Sequence, residues 1–256
     1  MELIDTHAHL QFEKFALDRE EIVSRNSSKL KAIINPGADL DSSEKAILLS
    51  QKVDNLYAAV GIHPHHVDNW TNDYLSKLEK MVTEEKVVAV GEIGLDNHFY
   101  QGYQQPDLEK QKEILLPQIE LARVHKKPIL FHCRTAYDEL YNTIKEFQPI
   151  SGLVYCFMGD KKLAEKFVNS GLLISFAGNI TYKNNEHIRE AAAYLSQDQI
   201  LLETDSPYLT PEPLRGQRNE PINVVLVAET IAKVRKTAVE EIAKQTTLNA
   251  ERLFGI

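Results

Sequence analysis

Short apolar runs alternate with longer amphipathic stretches from one end of the chain to the other, the rhythm of strand–helix units built around a parallel sheet. The apolar runs predict strands at 3–5, 31–35, 56–60, 87–92, 128–132, 152–156, 172–177 and 200–203. Most are continuous rather than alternating, as strands covered on both faces require. Helical spacing of apolar positions fills the intervals at 42–52, 72–83, 107–125, 136–147, 161–169, 185–195 and 223–234. Asp41-Ser42-Ser43-Glu44 offers acceptors where a helix leaves its first N–H groups free. Residues 236–254 predict two more helical pieces packed outside the barrel, with Thr237 as the N-cap of Ala238-Val239-Glu240-Glu241. Eight such units predict an α/β fold, a (β/α)8 TIM barrel with extra C-terminal helices. No Gly/Ser-rich linker or shift in composition divides the chain, so residues 1–256 read as one domain. The units share a pattern without a residue-level repeat.

Side chains able to bind metal or move protons recur where these strands end, and in such barrels that end carries the active site. Strand one runs into Asp5-Thr6-His7-Ala8-His9, strand three into His63, strand four into Glu92, strand five into His132 and strand eight into Glu203-Thr204-Asp205. His7 and His9 are two apart on an extended segment and can turn both imidazoles to one ion. Imidazole with carboxylate suits Zn²⁺ or Mn²⁺, and carboxylates also serve Mg²⁺. Ordinary polar residues at a strand end are the alternative for the pair alone. Glu92, flanked by apolar residues, needs a partner, either a buried cation or metal. Asp205 poses the same choice; Pro207 halts its strand and leaves the carboxylate at the rim, where it could bind metal and accept a proton from water. His132 is followed by Arg134, which either faces the site or pairs with Asp138. Of the three histidines in Gly61-Ile62-His63-Pro64-His65-His66, His63 is nearest the strand end and is assigned to substrate contact. His65 and His66 read equally well as solvent-exposed, and His98, His125 and His187 read as structural or surface residues.

Composition narrows the partners. With 43% hydrophobic and 26% charged residues the chain is an ordinary globular one, which removes disordered and collagen-like readings. Its 37 acidic and 29 basic side chains leave a formal charge of -8, against a protein that coats nucleic acid with a uniformly positive surface. A nucleic-acid enzyme whose carboxylates hold metal is still compatible. Cys133 and Cys156 are too few for a disulfide framework and lie in apolar runs, which fits a reducing cytoplasm. The first residues lack a signal-peptide pattern and no window approaches about 20 apolar residues, so the expectation is a cytoplasmic chain with no membrane contact and no obligate protein partner.

The sequence resembles the TatD family of metal-dependent deoxyribonucleases, within the amidohydrolase-like barrels. The matching segments are Asp5-Thr6-His7-Ala8-His9-Leu10, Gly61-Ile62-His63-Pro64-His65, Gly91-Glu92-Ile93-Gly94-Leu95-Asp96, Pro128-Ile129-Leu130-Phe131-His132-Cys133-Arg134, Leu202-Glu203-Thr204-Asp205-Ser206-Pro207-Tyr208-Leu209 and the Arg215-to-Pro221 stretch. The tail from Thr246 to Phe254 also looks like the family's C-terminal helix. The resemblance implies two divalent ions (Mg, Mn or Zn), one held by His7, His9, Glu92 and Asp205, the other by Glu92, His132 and a further histidine. That last position is Tyr155 here, in Gly152-Leu153-Val154-Tyr155-Cys156-Phe157. A phenol titrates near about 10 and must lose its proton to bind as an anion, so the second ion is expected to be the weaker. One tight ion, a second ion bound through Tyr155 or water, and an inactive variant are all open; the intact remaining motifs favour the first two.

The chemistry implied is phosphodiester hydrolysis by metal-activated water. Asp205 is the expected general base and Glu203 orients the site from behind. Arg134, Arg215 and Arg218 are candidate phosphate contacts, with salt-bridged loop positions as the alternative for the last two. A concave mouth suits a single-stranded DNA end, and the resemblance suggests exonuclease action from the 3′ end. Hydrolysis of a carboxylic or aminoacyl ester by the same centre is the alternative enzyme, and a non-catalytic metal-binding scaffold the alternative without chemistry.

Overall fold

The computed structural model describes residues 1–69, 73–101 and 106–256. In chain order the elements are β1 (Ile4–Asp5), α1 (Arg19–Ser27), β2 (Ala32–Pro36), α2 (Leu40–Ser50), β3 (Leu56–Val60), α3 (Tyr74–Val82), β4 (Val87–Asp96), α4 (Leu108–Val124), β5 (Ile129–Arg134), α5 (Tyr137–Ile144), β6 (Gly152–Val154), α6 (Lys161–Val168), β7 (Leu172–Phe176), α7 (Glu186–Tyr194), β8 (Ile200–Leu202), α8 (Val224–Arg235) and α9 (Val239–Phe254). All eight strands are parallel and pair in sequence order. The first and last strands meet beyond their ends: Thr6 N donates to Leu202 O at 3.0 Å, Asp205 N to His7 O at 2.8 Å and His9 N to Ser206 O at 2.7 Å. This is a TIM barrel with helices outside.

Neighbouring strand residues point to opposite faces, and the core divides accordingly. Ile34, Val88, Leu130 and Leu201 belong to the barrel interior, whereas Ile33, Val87, Ile129 and Ile200 pack under the helices. Burial on both faces explains why the strands read as continuous apolar runs.

Several boundaries differ from the sequence expectation, each for a local reason. β4 runs to Asp96, so Glu92 lies within the strand. The register with β5 shifts between Val90 and Ile93, an irregularity of the kind that re-aims side chains near active sites. Gly94 permits the extension: its φ is +152°, and a Cβ there would sit 1.9 Å from His132 O. β6 ends at Val154, not at 156, as Cys156 turns to a left-handed φ of 45°. α2 starts at Leu40, two residues before the expected Ser42, and is capped by Asp39, whose carboxylate accepts from Ser42 N at 2.8 Å while Ser42 Oγ accepts from Asp39 N at 2.9 Å. The expected start of the third helix at Asn72 lies outside the described residues. α1 has no counterpart among the predicted helices, because only Ile22 and Val23 supply buried apolar side chains to it.

The tail is one helix rather than two. Its N-cap position is Ala238, and the Thr237 hydroxyl bonds the Glu241 carboxylate instead of capping the backbone. Nor does α9 lie wholly outside the barrel. Ala250 and Phe254 join the interior cluster, and Asn249 Nδ2 donates to Gln197 O and Ile200 O, both at 2.8 Å. The helix thus seals the floor, where the strands begin.

Candidate metal centre

At the opposite end, the two histidines after β1 turn their Nε2 atoms together at 3.2 Å. His9 is oriented from behind by its Nδ1, 3.1 Å from Pro36 O. Glu92 reaches them from β4, its oxygens 3.6 Å from His7 Nε2 and 3.4 Å from His9 Nε2. Asp205 approaches from beyond β8, with Oδ1 3.9 and 3.4 Å from the same nitrogens. Asp205 has a φ of 54°, a left-handed conformation that costs an L-residue roughly 1–2 kcal/mol and that surrounding bonds must hold. Asp5 supplies part of that support, accepting from Thr204 N at 2.9 Å and from His7 N at 3.1 Å.

The four side chains fit a divalent ion. Donors bound to one ion at about 2.0–2.2 Å stand roughly 3–3.5 Å apart, close to the spacing observed, and two imidazoles with two carboxylates are a borderline-metal donor set. His7, His9 and Asp205 form one cluster of converging donor atoms, and His63, Glu92 and His132 form a second. Burial works against charge on Glu92, yet His9 and His7 hold its carboxyl well below the usual range. Burial likewise opposes charge on His9, but Glu92 and Asp205 raise its pKa. Burial, reinforced by His132, pushes the His63 pKa well below that of free imidazole.

His63, assigned from the sequence to substrate contact, is therefore placed among the potential ligands; its Nδ1 accepts from His65 N at 3.1 Å. His132 is held at both ring nitrogens. Its Nε2–H donates to Asp96 Oδ2 at 3.0 Å, and its Nδ1 lies 2.7 Å from the Tyr155 hydroxyl. That hydroxyl in turn donates to Glu92 Oε2 through a short bond. Tyr155 is 5% exposed, and burial followed by the charges of Glu92 and Asp205 raises its pKa well above a phenol's ordinary value.

Sequence reasoning missed Asp96. Its Oδ2 also accepts from His65 Nε2 at 2.8 Å and Tyr100 OH at 3.0 Å, so one buried carboxylate positions two imidazoles. Ending the fourth strand at Glu92 hid it; once the strand is extended, 92, 94 and 96 share a face. His65 is thereby part of the site wall rather than a free surface group.

Glu203 does not line the cavity. It is fully buried, accepts from Cys156 N at 2.8 Å, and is pushed up in pKa by burial, so it props the turn after β6 and touches no substrate space. Arg134 does line the cavity, with NH1 donating to Tyr100 OH at 2.9 Å; Asp138, its alternative partner, pairs with Lys166 at 2.6 Å. Arg215 stacks on Tyr182 at the rim, 4.2 Å from the ring centre. Arg218 takes the salt-bridged alternative: its guanidinium is bonded to Asp18 and to Lys14 O on the α1 side.

The mouth above these groups is a cavity of about 740 Å³ lined also by Phe12, Asn179, Tyr182 and Tyr208. A larger groove, about 1080 Å³, runs between α1 and α2 and carries no imidazole; volume alone does not locate the chemistry. No helix among the described residues is long and apolar enough to cross a membrane.

Comparison with known proteins gives a consistent result. Residues 4–255 match the family of TatD related DNases. The chain is 38% identical over 257 residues to the uncharacterized metal-dependent hydrolase YabD of Bacillus subtilis, covering 99% of each. It is 31% identical to the 3′-5′ ssDNA/RNA exonuclease TatD of Erwinia amylovora, over 99% of this chain and 100% of that protein. The crystal structure of YjjV, a TatD homolog from Escherichia coli K12, superposes with a TM-score of 0.92 at 32% identity, covering 99% of this chain and 98% of that one.

Proposed function

The chain belongs to the TatD related DNase family of metal-dependent hydrolases, and from that premise we propose that it is a deoxyribonuclease shortening single-stranded DNA from the 3′ end. The observation that carries this reading is the convergence of His7, His9, Glu92 and Asp205 beneath a cavity walled by a guanidinium and by aromatic rings. Carboxylates and imidazoles alone would serve many hydrolases. Arg134 adds a fork suited to phosphate oxygens, and Tyr208, 41% exposed at the mouth, adds a surface on which an unpaired base can stack. The Erwinia relative's name includes RNA, so single-stranded RNA is a second polymer to assay.

His7, His9, Glu92 and Asp205 would hold a divalent ion, Mg, Mn or Zn. When bound, it supplies Lewis acidity that acidifies water and offsets phosphate charge. The protein's own groups do the rest. Asp205, 17% exposed at its side chain, accepts a proton as the water oxygen bonds to phosphorus and the bond to the leaving sugar oxygen breaks. Arg134 orients the phosphate, Arg215 meets the strand at the rim, and Glu203 supports the turn carrying Cys156. The net charge of -8 leaves DNA affinity to bound cations and these few arginines.

The test is a 5′-labelled oligonucleotide offered single-stranded and as a blunt duplex. Progressive 3′ shortening of the single strand is expected, with little on the duplex and none after chelation. Turnover of a carboxylic ester without any shortening of DNA would replace this reading with that of an ester hydrolase.

A further inference from the structure

The two donor clusters differ in what stands between their donors. Around His7, His9 and Asp205 the converging atoms face one another directly, at 3.2 to 3.9 Å. In the cluster of His63, Glu92 and His132 the Tyr155 hydroxyl is wedged against two of the three members. A cation there needs a ring lone pair from His132, but Nε2 is bonded to Asp96 and the Tyr155 oxygen stands 2.7 Å in front of Nδ1, where the ion would have to sit. It also needs a carboxylate oxygen of Glu92. Oε1 is turned to His9, and Oε2 already accepts from the phenol.

The phenol cannot easily step aside. Its ring stacks on His7 with centroids 3.9 Å apart and planes 28° from parallel. It also belongs to the apolar barrel interior with Leu130 and Leu153. Moving the hydroxyl by the width of an ion would break the stack and lift a 5% exposed ring off its apolar bed.

We propose that this protein works with a single divalent ion, held by His7, His9, Glu92 and Asp205, and that the Tyr155 hydroxyl fills the space between Glu92 and His132 where a second ion would sit. His63, His132 and Arg134 then face the substrate as protein groups. The proposal rests on the metal-dependent reading above, but not on the substrate being DNA.

Metal content separates the possibilities without reference to activity. Chelator-stripped protein is titrated with Mn²⁺, freed of loose ions by gel filtration and analysed by elemental mass spectrometry and electron paramagnetic resonance. Wild type should retain about one ion per chain with the spectrum of an isolated ion, and Tyr155→His about two with a spin-coupled spectrum. His7→Ala should retain none, and Tyr155→Phe no fewer than wild type. About two ions in wild type, a drop on Tyr155→Phe, or an ion retained by His7→Ala would each overturn the proposal; the wild-type count decides even if a variant fails to fold. Failure of the protein to shorten DNA while the counts hold would remove the nuclease reading and leave this one intact.

Discussion

The barrel's two ends are made by the same eight strands and have been put to opposite use. Where the strands finish, His7, His9, His63, Glu92 and Asp96 are each less than a tenth exposed, yet every one is a polar group, held by a neighbour that is itself polar. Where the strands begin, Ala250 and Phe254 of α9 close the interior with apolar contact, and Asn249 and Thr247 fasten the helix to backbone carbonyls. One end gathers desolvated polar groups from several strands around the strained turn at Asp205. The other has burial to spare. Such a division lets chemistry change at the mouth without refolding the barrel, and substitutions at the two ends should be separable in what they cost.

The sharpest break in that comparison is Asp205→Asn. Removing a general base costs about 10²–10⁴-fold in rate, so single-turnover shortening of labelled DNA should fall by that much while the thermal midpoint stays level or rises. Phe254→Ala should do the reverse. A buried aromatic cut to alanine costs about 3–5 kcal/mol, visible in urea unfolding, with the retained metal and the rate at low temperature unchanged. A joint loss of metal from Phe254→Ala would mean that floor and mouth are not separable.

Asp96→Asn sharpens the comparison within the mouth. It weakens the bonds that aim His132 and His65; charge-assisted hydrogen bonds of this kind are worth about 1.5–3 kcal/mol. A rate loss of about tenfold or more is expected at constant metal content, read by pairing the DNA assay with metal analysis. Arg218→Ala should have the smallest effect. Its pair with Asp18 is at the surface, where ion pairs contribute little, so neither rate nor thermal midpoint should move; a clear loss of DNA affinity would return Arg218 to the substrate.

Much of this was legible in the chain itself. Strands buried on both faces announce themselves as unbroken apolar runs, and a histidine or carboxylate closing such a run marks the mouth. What stayed hidden depended on partners far away in sequence. Nothing beside Arg218 indicates that its carboxylate is Asp18, some 200 residues earlier. The apolar run that predicts the fourth strand ends at Glu92, short of Gly94, and so leaves Asp96 without a place in the site. The polar surface of α1 concealed a helix anchored by two apolar side chains. The tail's periodicity was visible, but not that Phe254 reaches the barrel interior. Tyr155 could be noticed, yet only the geometry shows its hydroxyl between Glu92 and His132.

The most direct test of a one-ion metal centre is the rate of 3′ shortening of a single-stranded oligonucleotide, followed as stripped protein is refilled with Mn²⁺ and the bound ions are counted in the same samples. No shortening is expected at zero occupancy, then a rise in proportion to bound metal and a plateau at about one ion per chain. Shortening by the stripped protein, or a rate that begins only after a second ion binds, would contradict a one-ion metal-dependent nuclease.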